Sequence, residues 1–216
     1  MNKLIAEFIG TFAMVFCGCG AMTVDEITGG AISHVGVAIT WGLIVVAMIY
    51  TFGETSGAHF NPAVTIGFAV AKKFKWKAVP LYILFQICGA FLAIGMLWIL
   101  FPQSKSYGHT YPADGFAPYQ AFILELLLTF FLMLTIIKIV SGSKINTPVS
   151  GIVIGFVILL EAMFAGPMSK ASMNPARSLA PAVISGHLEH LWLYLLAPVI
   201  GSILAIAANR LTEINH

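Results

Sequence analysis

The sequence predicts an all-α membrane protein with six transmembrane helices and two re-entrant half-helices, arranged as two inverted repeats. Three observations carry that reading. Hydrophobic residues fill 59% of the 216 positions and charged ones only 9%, with a mean hydropathy of +0.92, which exceeds what a soluble core of this size has to bury. Six apolar stretches reach spanning length. An Asn-Pro-Ala box occurs twice, at 61–63 and 174–176, each time opening a run too short to cross a bilayer. Residues 1–216 read as a single transmembrane domain, with repeats of about 1–103 and 118–216.

The first span is Leu4 to Met22. Lys3 ahead of it suggests a leader peptide, but Glu7 interrupts the run early and the stretch is long enough to span, so it reads as a retained helix. His34 to Phe52 is the second span. After it, Ser56-Gly57-Ala58-His59-Phe60 leads into Asn61-Pro62-Ala63, where Asn suits an N-cap and Pro the first helical position. The run Pro62 to Ala71 covers only about half of a hydrocarbon core roughly 30 Å thick at about 1.5 Å per residue. Ala78 to Leu100, Ala121 to Val140 and Val149 to Gly166 are the next three spans. Ser169-Lys170-Ala171-Ser172-Met173 then leads into Asn174-Pro175-Ala176-Arg177, opening the second half-span, Pro175 to Ser185. Leu191 to Ala208 is the sixth span.

The repeat extends beyond the boxes. Glu7-x-x-x-Thr11-Phe12 matches Glu125-x-x-x-Thr129-Phe130, and Tyr82 to Ala93 matches Tyr194 to Ala205 through Tyr, Gly and a Leu-Ala ending. Three crossings per repeat, an odd number, turn the second copy upside down in the membrane. Lys3, Lys72, Lys73, Lys75, Lys77, Lys138, Lys144 and Arg210 fall on one side, against Lys105, Lys170 and Arg177 on the other. That excess predicts cytoplasmic termini and an external loop holding Asp25 and Glu26.

Several classes are excluded. A net charge of +2 gives no reason to expect nucleic acid, and the six histidines lack metal-ligand spacing. No cofactor motif is visible, and no grouping of nucleophile, base and oxyanion donor points to an enzyme. Cys17, Cys19 and Cys88 read as buried thiols in apolar segments.

Two inverted half-helices must meet N-terminus to N-terminus, and non-helical backbone at that depth has to be buried in protein or line a watery cavity. Each helix start offers free N–H groups and about half a positive charge, which repels cations. The Asn61 and Asn174 amides can donate to a passing oxygen, and the stretches before them, if extended, supply carbonyl acceptors. Neutral hydroxylated molecules suit such a wall. Arg177 stands where the first copy has Val64. A guanidinium at such depth costs about 2.5 to 3.5 kcal/mol, which marks it as functional.

These duplicated boxes, Arg177, the spanning glutamates Glu7 and Glu125 and the six spans resemble the aquaporin, or major intrinsic protein, family over essentially the whole chain. The resemblance implies a homotetramer in a plasma or inner membrane, surrounded by lipid. Each subunit would hold one pore that passes water or small uncharged solutes and excludes protons. It implies a constriction built from one residue of the second span, one of the fifth, one of the second box loop and the arginine. By distance from the boxes these are Trp41, Ala162, Ala171 and Arg177. Water-selective members carry Phe and His at the first two places, whereas Trp with two alanines is similar to glycerol facilitators and plant nodulin-like intrinsic proteins. Ala165-Gly166-Pro167 and Ala171 to Leu179 extend the nodulin-like likeness, while Ser178 and Ala182 depart from the Asp and Lys of glycerol facilitators. By the same resemblance, Glu7 and Glu125 buttress the box loops.

Alternatives remain open at this level. The channel could be water-selective, or the inverted repeats could belong to a secondary transporter, although the boxes offer no carboxylate for ion coupling. Glu161, which has no repeat partner, either pairs with loop amides or faces the outer vestibule. Glu54 and His59 lie at the inner mouth, where satisfied polar packing is the reading preferred over a pH gate.

Overall fold

The computed structural model describes residues 1–141 and 149–212. Lys144, used above for orientation, lies outside the described residues. The helices are α1 (Asn2–Thr28), α2 (Ser33–Ser56), α3 (Pro62–Val70), α4 (Val79–Leu100), α5 (Pro118–Ser141), α6 (Ser150–Ser169), α7 (Pro175–Ser185) and α8 (Leu191–Thr212). Six are long and apolar enough to cross a membrane, α4 together with the short 3₁₀ turn Trp76–Ala78 before it. The chain is a multi-pass integral membrane protein with an all-α, six-span bundle and two short extra helices.

Packing follows close backbone approaches. α4 lies on α1 and α8 on α5, and a Cβ on Gly89 would come within 2.4 Å of Phe8 O, one on Gly201 within 2.2 Å of Leu126 O. Those glycines hold the same place in the matched Tyr-to-Ala segments, so the sequence match records a shared need for contact. α2 and α6 meet through Gly42 and Gly155, each too close to the other's carbonyl to carry a Cβ.

Helix ends depart from the apolar runs. α1 continues past Met22 to Thr28, so Asp25 and Glu26, expected in a loop, sit in its final turns before Gly29 at φ 68. An apolar run marks the hydrocarbon slab, whereas a helix continues until its capping residue stops it. Asp25 Oδ1 then accepts from Ile32 N and Ser33 N at 3.0 and 2.7 Å, fixing where α2 begins. α3 ends at Val70, just before Ala71 and the left-handed Lys72 at φ 60.

Candidate functional site

The site is built where α3 and α7 begin. Asn61 caps α3 by accepting from Ala63 N at 2.9 Å, and Asn174 caps α7 by accepting from Ala176 N and Arg177 N at 3.0 and 3.3 Å. Pro62 and Pro175 occupy the first helical positions. Each asparagine also reaches the opposite box: Asn61 Nδ2 donates to Met173 O at 2.7 Å and Asn174 Nδ2 to Phe60 O at 2.9 Å. Each amide retains a second N–H, and both residues line the same cavity.

The loops ahead of the boxes are not extended. Ala58 and Phe60 in one, and Lys170, Ala171 and Met173 in the other, have φ between 43° and 66°. Left-handed non-glycine residues cost about 1–3 kcal/mol each unless the surroundings hold them. Here buried carboxylates do so. Glu7 accepts from Ser56 Oγ, His59 N, Phe60 N and Gln86 Nε2 at 2.7–3.0 Å. Glu125 accepts from Ser169 Oγ, Ser172 N and Met173 N at 2.7–3.1 Å. Tyr82 and Tyr194 donate to Ser56 O and Ser169 O, both at 2.9 Å. Hydrogen bonds to charged groups contribute about 1.5–3 kcal/mol each, enough to offset the strain.

Arg177 is 1% exposed. Nη1 donates to Gly108 O at 2.7 Å, Nη2 to Met22 Sδ at 3.1 Å, and Cζ lies 4.9 Å from the centre of the Trp41 ring. Gly18 makes room for that indole, because a Cβ there would fall 2.4 Å from it. Trp41, Ala162, Ala171 and Arg177 all line an inner cavity of about 790 Å³ that reaches Glu54. An outer cavity of about 490 Å³ has Asp25, His34, His109 and Lys170 in its wall. Trp41 and Ala162 belong to both walls. The four residues expected at a constriction therefore lie together in the wall of one cavity, and two of them also border the other.

Other residues resolve differently. His59 is buried, with Nδ1 3.1 Å from Thr65 Oγ1 and its ring stacked on Phe68, so polar packing accounts for it; Glu54 is exposed. Glu161 is buried and its Oε2 has no hydrogen-bond partner among the described residues, so neither pairing with loop amides through that atom nor an exposed vestibule position describes it. Cys88 is exposed on α4, unlike the buried Cys19, because a lipid-facing surface admits a thiol as readily as a core does. The sequence reading missed Met22 and Gly108, which hold Arg177; neither has a local signature.

Outside the membrane, His109 follows Gly108 and stacks on His187 at 4.3 Å between ring centres. Burial, then the neighbouring His187, Arg177 and Lys170, lower its pKa from 6.5 to about 4 despite a hydrogen bond with Ser106 O.

Spanning helices around two joined half-helices, with two cavities that share Trp41 and Ala162 in their walls, define a channel-forming membrane protein. The family model for the major intrinsic protein matches residues 1–208. The chain belongs to the major intrinsic protein family, whose members are transport proteins and not enzymes. It is 45% identical over 203 residues to the putative aquaporin NIP4-1 of Arabidopsis thaliana, covering 94% of this chain and 71% of that one. It is 43% identical over 204 residues to nodulin-26 of Glycine max, covering 94% and 74%. Its fold matches the X-ray structure of the aquaglyceroporin from Plasmodium falciparum with a TM-score of 0.88 at 28% identity, over 95% of this chain and 93% of that one.

Proposed function

We propose that the chain forms a passive channel for water and small uncharged solutes such as glycerol, and that it excludes protons and ions. The observation that carries this is the asymmetric constriction. Trp41 and Ala162 line it with apolar surface, and the Arg177 guanidinium lying over the Trp41 ring adds hydrogen-bond donors beside that surface, which suits a polyol with both a carbon face and hydroxyls. The aquaglyceroporin match and the NIP-type relatives support the same solute class.

In this reading Trp41, Ala162, Ala171 and Arg177 form the selectivity filter. Asn61, Pro62, Ala63, Asn174, Pro175 and Ala176 are the pore boxes, whose opposed helix ends repel cations. Glu7 and Glu125 act as buttresses rather than relays, because the donors around Glu7 fill its lone-pair sites. Residues 1–216 act as a single domain of two inverted repeats, about 1–103 and 118–216, supported by the matched bonds of Glu7 with Glu125 and Tyr82 with Tyr194. The lysine-rich side sets both termini in the cytoplasm, in a plasma or inner membrane. The exposed apolar faces of the spans suit lipid and the neighbours of a homotetramer. No part of the reading calls for nucleic acid.

Stopped-flow light scattering on proteoliposomes, with water, glycerol, urea and boric acid gradients side by side, tests it. Water and glycerol are expected to cross, each down its own gradient. A wild type that passes only water would favour the water-selective alternative, and uphill accumulation driven by a proton or sodium gradient would favour a secondary transporter.

A further inference from the structure

α6 contains Pro167, which has no N–H, so the carbonyl of Met163 one turn earlier loses its helical donor. Met163 is half-buried and His34 is exposed, so the freed carbonyl takes either a side-chain partner or water. His34, at the start of α2 and 129 residues away, is that side-chain partner: its Nε2 lies 2.6 Å from Met163 O. A carbonyl only accepts, so Nε2 carries the proton. Two further features keep the ring in place. Gly166 has no side chain, and a Cβ there would lie 2.7 Å from His34 Cε1. Asp25 Oδ1 fixes the backbone just before His34 through Ile32 N and Ser33 N. Met163 follows Ala162, which is in the walls of both cavities, and His34 itself lines the outer one.

We propose that His34 is a positioning residue for solute selectivity: its Nε2–H replaces the donor that Pro167 lacks, and so holds the turn of α6 that presents Ala162 to the constriction. The proposal rests on the channel reading above. Without the imidazole, Met163 O turns to water, and the hydrated carbonyl sits beside the apolar side of the slot. Glycerol, which needs that side dry, is hindered more than water.

The experiment compares water and glycerol permeability of proteoliposomes holding equal amounts of wild type, His34→Phe, His34→Gln, Gly166→Ala and the double variant His34→Phe/Pro167→Ala. In His34→Phe the glycerol-to-water ratio is expected to fall at least about threefold, the scale of one net hydrogen bond. His34→Gln keeps a donor and is expected to recover most of the ratio. In the double variant the new N–H at position 167 can bond Met163 O within the helix, so the ratio is expected to return towards wild type. Gly166→Ala displaces the imidazole without removing it and is expected to act like His34→Phe, which keeps the test alive if that variant does not insert. A wild-type ratio in both His34→Phe and Gly166→Ala, or no recovery in the double variant, overturns the proposal alone. Wild-type vesicles that pass neither solute overturn the channel reading and the proposal with it.

Discussion

Asn61 and Asn174 are tied to each other reciprocally, each donating to the carbonyl that immediately precedes the other in sequence, Met173 O and Phe60 O. Because each Oδ1 is already committed to its own helix start, neither amide can rotate. The remaining N–H is therefore aimed by two partners in Asn61 and by three in Asn174. Replacing Asn174 with Ala removes the cap of α7 and the bond to Phe60 O together. We expect a loss of about 1–3 kcal/mol in the unfolding free energy of the detergent-solubilised protein. An unchanged denaturation midpoint would show that the tie contributes nothing.

Arg177→Val, which installs the residue of the first box, is expected to leave the protein inserted while admitting protons or small cations. A pH-sensitive dye trapped in vesicles reads the result. Wild-type vesicles that already conduct protons freely would contradict the electrostatic argument.

Ala162→His narrows the slot on its apolar side and adds a polar group there. Glycerol flux is expected to drop roughly tenfold, the effect of changing one contact in a pocket by about 1–2 kcal/mol, with water flux reduced much less. Equal losses for both solutes would argue that Ala162 does not set the cut-off.

The outer loop offers a pH test. His109 is held at about 4 instead of 6.5, so folding favours its neutral form. Above pH 6.5 both states are neutral and stability is at its full value. Between 6.5 and about 4 the unfolded chain binds a proton that the folded one refuses, and stability falls as the pH falls. His109→Gln is expected to flatten the Tm profile across that window, and identical slopes for variant and wild type would refute the assignment.

Much of this architecture is legible in the sequence, for physical reasons. Hydrocarbon demands long apolar runs, and Asn-Pro announces a helix start wherever it occurs, so the spans and both boxes can be read locally. The end of α1 cannot, because beyond the slab Asp25 and Glu26 are as welcome in a helix as in a loop. The left-handed turns at Ala58, Phe60, Ala171 and Met173 are also hidden. Nothing in those side chains favours positive φ, and the groups that impose it, Glu7 and Glu125, lie 47 to 53 residues from the loop amides they bind. Arg177 was conspicuous as a charge, but its holders Gly108 and Met22 are 69 and 155 residues distant. Pro167 lies inside α6, and the bond of His34 to Met163 O that answers it emerges only when α2 and α6 are side by side.

The tie between the boxes also orders the protein's synthesis. Asn61 finds its acceptor 112 residues downstream, and α3 packs against α8, further downstream still. Until the ribosome has delivered the second box and α8, the first box is a loop at membrane depth with a donor and strained turns but no opposite half. Such a segment is tolerable only while water or another protein covers it. The nascent N-terminal half is thus a client in need of shelter, and sealing against leaks is a property acquired only after α8 has been made.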